Sequence, residues 1–331
     1  MKKYLVLLLV FLAGNAFPQQ EKIDSIRALV NLSATDSARQ YWLIELSWKL
    51  MNAKKYLESE KAAMEALEVS KKMKSNKPIA ESYVCLAESF WYRDSLTNAF
   101  NYYVRALRVW QKEGNQKKIA DMYIEVALVA KDQNRDYRYD TGLNFYRGMD
   151  SARGILEKLI TEEKDPKKLK GIKKSLARVY NETASGLADR GDPKKATKLH
   201  LKALEYYTEI DNKNGIADTY FDLGYNNRPR IRYVGEDSEK SIEYMTEAYK
   251  RYQLLGDKYK TAKTEKWMGC IYKNRNQSDS ALKYLFLAEK YFKSINDKYN
   301  LKDVYHFLSG VYGHLGDAVK QKEYWSLYTS D

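Results

Sequence analysis

A small residue returns along this chain at an almost constant interval, and that recurrence limits the fold more than any other feature. Ser47, Ala87, Ala127, Ala184, Gly224, Gly269 and Ser309 are separated by 40, 40, 57, 40, 45 and 40 residues. A longer pattern travels with them: Tyr83, Ala87, Phe90, Ala99, Tyr103 and Ala106 recur at unchanged spacing as Tyr180, Ala184, Leu187, Ala196, His200 and Ala203. Looser copies run from Met268, Gly269 and Tyr272 to Ala281, Leu285 and Ala288, and from Tyr305, Leu308, Ser309 and Tyr312 to Trp325 and Tyr328. A period of this length marks one supersecondary unit used repeatedly. Such a unit cannot bury its apolar face alone and must stack on its neighbours.

Each period reads as two helices, with apolar residues at i, i+3, i+4 and i+7 on either side of a turn. In the second period the spacing predicts helices over 78–92 and 95–113. Asp94-Ser95, Asp150-Ser151, Gly191-Asp192-Pro193, Asp237-Ser238, Asp279-Ser280 and Gly316-Asp317 supply helix-start chemistry. Ser75-Asn76, Gly114-Asn115, Asp211-Asn212, Gly256-Asp257 and Asn296-Asp297 end the second helix of a period. Only 5 Pro and 16 Gly among 331 residues fit a helix-rich chain. Tyr102, Tyr103, Tyr206, Tyr207, Tyr244, Tyr284, Tyr291 and Phe292 read as packing between helices.

The spaced small and aromatic residues resemble the tetratricopeptide repeat, whose pattern is Trp-x2-Leu-Gly-x2-Tyr followed by Ala, Phe and Ala. The resemblance implies an all-α fold, a TPR-type α-α superhelix of about seven helix pairs. The pairs fall at approximately 40–79, 80–119, 120–176, 177–216, 217–261, 262–301 and 302–331, after an N-terminal capping segment at 17–39. The family repeat is shorter, about 34 residues, and long-helix repeats of this kind are similar to those of bacterial sensory proteins, including periplasmic halves of sensor kinases. Glu265 stands where the family has a large aromatic, Ala63 replaces an aromatic, and Gln321 replaces an Ala. Proteins of this family generally bind extended peptides or helices in a concave groove lined by the first helix of each pair. By resemblance, Tyr41, Trp48, Glu88, Trp91, Asp121, Asn181, Tyr225, Arg228, Lys266, Lys273 and His306 face that groove.

Residues 1–20 carry Lys2 and Lys3, an apolar run from Tyr4 to Ala13, and then Gly14-Asn15-Ala16. This order is that of a secretory signal peptide cleaved after Ala16. A bilayer span needs about 20 apolar residues, and this run is shorter. The expected product is periplasmic or secreted, with no membrane span after cleavage.

Nothing in the chain has the spacing of a phosphate loop, a metal-protease helix or a nucleophile elbow. Two Cys and three His leave little for metal or acid–base chemistry, so no cofactor, metal or catalytic residue is expected. Cys85 and Cys270 are expected to be unpaired in apolar surroundings, and His200 takes an aromatic packing slot. The 57 Lys+Arg exceed the 44 Asp+Glu for a net charge of +13. Two basic clusters stand out: Lys164, Lys167, Lys168, Lys170, Lys173 and Lys174, and the insertion carrying Arg228, Arg230, Arg232 and Tyr233. An acidic partner or anionic surface fits them, or an ordinary solvated face; export argues against nucleic acid. The longer intervals are expected to lie in the loops joining two helices of a unit, where Arg135, Tyr137, Arg138, Tyr139, Tyr146 and Arg147 form a first Arg- and Tyr-rich insertion and Arg228 to Tyr233 a second.

The expected function is therefore that of a non-enzymatic exported scaffold binding a protein or peptide partner. The alternative is a sensory input module of a signalling protein such as a sensor histidine kinase.

Overall fold

The computed structural model describes residues 19–133, 144–228 and 237–330, which form helices and short turns with no strand among them. The chain divides into two compact units, residues 1–162 and 163–331. The first holds α1 (Gln19–Leu32) and the pairs α2 (Asp36–Asn52) with α3 (Tyr56–Lys72), α4 (Asn76–Trp91) with α5 (Leu96–Glu113), and α6 (Gln116–Asp132) with α7 (Phe145–Glu162). The second pairs α8 (Pro166–Asp189) with α9 (Pro193–Glu209), α10 (Lys213–Asn226) with α11 (Asp237–Leu255), α12 (Lys258–Asn274) with α13 (Ser278–Ser294), and α14 (Lys298–His314) with α15 (Ala318–Thr329). The helices expected over 78–92 and 95–113 are α4 and α5.

Local chemistry sets the helix starts. Side chains of Thr35, Asn115, Asn212, Asp257 and Asp297 each accept a backbone N–H three residues on, satisfying a donor that the helix itself leaves open. Asp165 accepts from Lys167 and Lys168, and Pro166 follows it at the first helical position. Asp150-Ser151 departs from expectation by lying inside α7. The cap there is Asn144, whose Oδ1 accepts from the Arg147 N–H at 2.9 Å.

Where the interval is regular, the recurring small residue meets the second helix of its own pair twelve positions later, whereas Gly224 meets it at Ser241 and Ala127 at Gly148. Ser47 Oγ lies 2.9 Å from Ser59 Oγ, and Ser309 Oγ donates to the Gln321 carbonyl at 3.0 Å. Ala87 and Ala99 are both fully buried. At Gly269 an added Cβ would sit 2.5 Å from Leu285 Cγ and 3.3 Å from the Ala281 carbonyl, so the helix backbones approach closely. A ring pair with the same twelve-residue separation brackets this contact. Phe90–Tyr102, Tyr272–Tyr284 and Tyr312–Tyr324 stack with centroids 5.5, 5.6 and 5.6 Å apart and planes within 4°.

The six other first helices begin eleven residues before their small residue, as Asn76 does before Ala87, whereas α8 begins at Pro166, eighteen before Ala184. Part of the 57-residue interval is thus extra helix rather than joining loop. The remainder includes 134–143, which lies outside the described residues, as do the signal peptide expected at 1–16 and residues 229–236. Within the basic cluster, Lys173 pairs with Glu209 on α9. No described helix is long and apolar enough to cross a membrane.

Candidate functional site

The first helices of the second unit, α8, α10 and α12, line a cleft of about 410 Å³. The repeat register dictates what enters it. Arg178, Asp218 and Lys263 each lie six residues before their small residue, and Gly215 and Lys260 nine before. Glu182, Asp222 and Phe221 complete the walls, with Tyr207 of α9 and Tyr252 of α11 as floor. The Tyr207 ring lies so close to Gly215 that a Cβ there would come within 2.5 Å of it.

A hydrogen-bonded chain runs from the cleft into the core. Asn226 Nδ2 lies 2.8 Å from His200 Nε2, His200 Nδ1 lies 2.7 Å from Asn181 Oδ1, and Asn181 Nδ2 donates to Asp222 Oδ2 at 2.6 Å. The amide group of Asn226 can only donate here, so Nε2 is the acceptor and Nδ1 carries the proton. Every member then has one consistent role, and His200 is neutral. Its full burial agrees with this, since desolvation lowers its pKa to about 4. Asp222 moves the opposite way, to about 7, because burial and the nearby carboxylates Glu182 and Asp218 outweigh the Asn181 hydrogen bond and the Lys263 charge.

Asp218 accepts from the Tyr252 hydroxyl at 2.6 Å and from Lys260 Nζ at 2.7 Å, which ties α10 to α11 and α12. Lys263 Nζ stands 5.4 Å from the Phe221 centroid, and burial lowers its pKa. The cleft therefore presents positive, negative and positive groups on the first helices of three successive pairs.

Further along the same unit an aromatic row crosses α10, α12 and α14. Tyr225 meets Trp267 edge-on at 4.7 Å, and Trp267 meets Phe307 at 5.7 Å. Arg228 stacks 3.5 Å from the Tyr225 centroid, and Lys273 Nζ is 5.7 Å from that of Phe307. Exposed His306 closes the row, 5.0 Å from Tyr328. Lys266 is placed differently from the groove-facing expectation. Only 3% exposed, it donates to Asn300 at 2.8 Å and Asp303 at 2.6 Å and so holds α12 to α14. Asn181 likewise spends its amide on His200 and Asp222. Arg230, Arg232 and Tyr233 lie outside the described residues.

In the first unit, Glu88 accepts from the Tyr103 hydroxyl at 2.7 Å, and Trp91 Nε1 donates to Asp132 at 2.9 Å. Asp121 takes Lys117 at 2.6 Å. Trp48 packs on the Ala63, Leu67, Cys85 and Leu86 cluster, while Tyr41 is exposed and meets Trp42 edge-on. Cys85 and Cys270 are buried free thiols whose pKa values burial raises. Among the described residues no cluster of His, Cys, Asp and Glu could hold a metal ion.

Sequence reasoning passed over Arg178, Asp218, Asp222 and Lys263. The available signal was positional: Arg178, Asp218 and Lys263 share the register of Tyr41 and Asp121, and Phe221 that of Asn181 and Lys266.

No family model matches the sequence, and no curated protein matches it. Solved structures do. The apo form of the quorum sensor NprR from B. thuringiensis superposes with a TM-score of 0.66 at 15% identity, over 93% of this chain and 80% of that one. A Rap protein complexed with competence and sporulation factor gives 0.58 at 14% identity, over 98% and 85%. A signal transduction ATPase with numerous domains from Pyrococcus horikoshii, which carries a tetratricopeptide repeat sensor, gives 0.60 at 18% identity over 98% of this chain and 46% of its own. The likeness is one of fold. This chain has the TPR-type helical repeat fold.

Proposed function

We propose that this protein is a non-enzymatic scaffold that holds a protein or peptide partner along the first helices of its second unit. The observation that carries the reading is the Arg178, Asp218, Lys263 series, one charged side chain from each of three successive first helices at one register position. An extended chain advances about 3.3 Å per residue, so a partner lying across the cleft would meet α8, α10 and α12 in turn at separate residues. Alternating charges suit a partner read at several points. A Rap protein of this fold complexed with competence and sporulation factor supports the same use of the fold.

Export is the second element of the proposal and rests on the charged start, short apolar run and small-residue exit of residues 1–16. The partner is then met in the periplasm or outside the cell. Intact mass of the protein from its host should lack residues 1–16; a full-length chain in the membrane fraction would overturn export. Capture with the mature chain as bait, compared with a Lys263→Glu variant that leaves the Asp218 tie intact, tests the groove. Partner lost with helix content unchanged is the expected result, and equal recovery from both baits removes the groove assignment.

A further inference from the structure

Four residues before the small residue, five of the seven first helices carry a ring, Tyr83, Tyr123, Tyr180, Tyr220 and Tyr305, and α2 carries the apolar Leu43. Four of these meet a ring of the following helix, Tyr83 with Tyr102, Tyr180 with Tyr206, Tyr220 with Tyr244 and Tyr305 with Tyr324, at 5.9, 6.1, 6.2 and 6.1 Å. On α12 the same position is Glu265. Glu265 lines a cavity of about 560 Å³ together with Gln253, Ala262, Leu287, Lys290 and Tyr291.

Glu265 is only 7% exposed. Two other charged residues are buried to this degree, and each has a counter-charge: Lys266 pairs with Asp303, and Glu289 with Lys293. Glu265 forms no ion pair among the described residues. A buried carboxylate without a counter-charge is expensive, and an opposite charge within about 4–6 Å is what relieves it. The charged groups around the cavity are Lys258 of α12 and Lys290 of α13, both exposed and free to stay hydrated; α11 contributes the neutral Gln253. The hydroxyl of Tyr249 on α11 lies beside the carboxyl.

We propose that this cavity binds a small organic cation, an ammonium group on an apolar stem, with the ammonium against Glu265 and the stem along Ala262, Leu287 and Tyr291. The repeat carries a carboxyl where its other copies carry a ring, and the ligand supplies the charge the carboxyl lacks while its stem fills the apolar side of the cavity. Burial raises the Glu265 pKa to about 7, against the opposing Tyr249 hydrogen bond, so the ionised form that holds a cation gains population as pH rises through neutrality. This inference does not depend on the groove reading.

The test titrates hexylammonium chloride into the full chain by calorimetry at pH 8.5 and pH 5.5, with 1-hexanol as the neutral probe and N-acetyl-lysine amide as a side-chain-borne ammonium. Saturable one-site binding of at least one ammonium probe is expected at pH 8.5, weakened roughly tenfold or more at pH 5.5, with hexanol far weaker. Which ammonium binds more tightly separates a free amine from a partner's lysine. Glu265→Gln should abolish binding, and Glu265→Tyr, which restores the repeat residue and keeps the chain folded, should abolish it by filling the cavity. Absence of saturable binding at pH 8.5, equal affinity for hexanol, or unchanged affinity in either folded variant overturns the proposal.

Discussion

Asn181 on α8 donates to Asp222 on α10 at 2.6 Å, so the side chain that joins two successive first helices is also the one that aims a cleft carboxyl. The same amide receives the proton of His200 from α9, and His200 in turn receives Asn226 from α10. The cleft wall is thus continuous with the packing between two helix pairs. A change in the ionisation of Asp222 is felt by groups that hold the pairs together.

Opposite pKa shifts at Asp222 and His200 predict a split pH response of stability. Asp222 titrates higher folded than unfolded, so its contribution is present near pH 4 and lost as pH rises to about 7. His200 titrates lower folded than unfolded, so its contribution is present above about pH 6.5 and lost as pH falls toward 4. Asp222→Asn keeps an acceptor for Asn181 and should raise the stability of the second unit at pH 8 by about 1–3 kcal/mol, with no gain at pH 4. Urea midpoints at both pH values measure this, and a gain at pH 4 equal to that at pH 8 would sink the assignment.

Removal of His200 should orphan two buried groups at once. His200→Leu leaves Asn181 Oδ1 and Asn226 Nδ2 unbonded, at about 1–3 kcal/mol each. A double-mutant cycle of His200→Leu with Asn226→Leu should show coupling of about 0.5–3 kcal/mol. Additive effects would mean that the chain of bonds is not formed in solution.

The helical part of this architecture was legible because interhelix contact depends on spacing. Where the two helices of a pair are joined by a short turn, a small residue and its partner twelve positions on lie on facing surfaces, as Ser47 with Ser59 and Ala87 with Ala99 show. The start of α7 was not legible, since Asp150-Ser151 and Asn144 are both good caps and only packing chooses between them. Groove charges could be placed by register, yet their states could not: the raised pKa of Asp222 comes first from its burial, and then from Glu182 and Asp218 beside it in space. The burial of Lys266 was equally hidden, because its partner Asp303 is 37 residues away on another helix.

Glycine-to-alanine substitutions should separate close contacts from open ones. An added Cβ at Gly269 meets Leu285 Cγ at 2.5 Å, and one at Gly224 meets Met245 Cγ at 2.6 Å. Either alanine should cost about 1–3 kcal/mol through overpacking. Gly154 in α7 and Gly171 in α8 have nothing within 4 Å of an added Cβ, so alanine there should stabilise by about 0.4–1 kcal/mol. Thermal melts of the four variants check the ordering, and destabilisation by Gly154→Ala or Gly171→Ala equal to that of Gly269→Ala would show the register to be wrong.

Lys266 and Asp303 form an ion pair whose two halves differ in exposure, 3% for the lysine side chain and 41% for the aspartate. The two truncations should therefore be unequal. Lys266→Met removes the buried charge and keeps its apolar stem, the exposed Asp303 turns to water, and the one group left unbonded is the Asn300 side-chain carbonyl, so the change should cost about 1–2 kcal/mol. Asp303→Ala leaves the ammonium buried with Asn300 as acceptor and should cost about 3 kcal/mol, the range for breaking a buried pair from one side. Chemical denaturation of both variants at pH 7 measures the difference. Lys266→Met should also leave partner capture unchanged, because its ammonium is buried and spent on Asn300 and Asp303. A larger loss from Lys266→Met than from Asp303→Ala, or lost capture in a variant of unchanged stability, would return Lys266 to the binding surface.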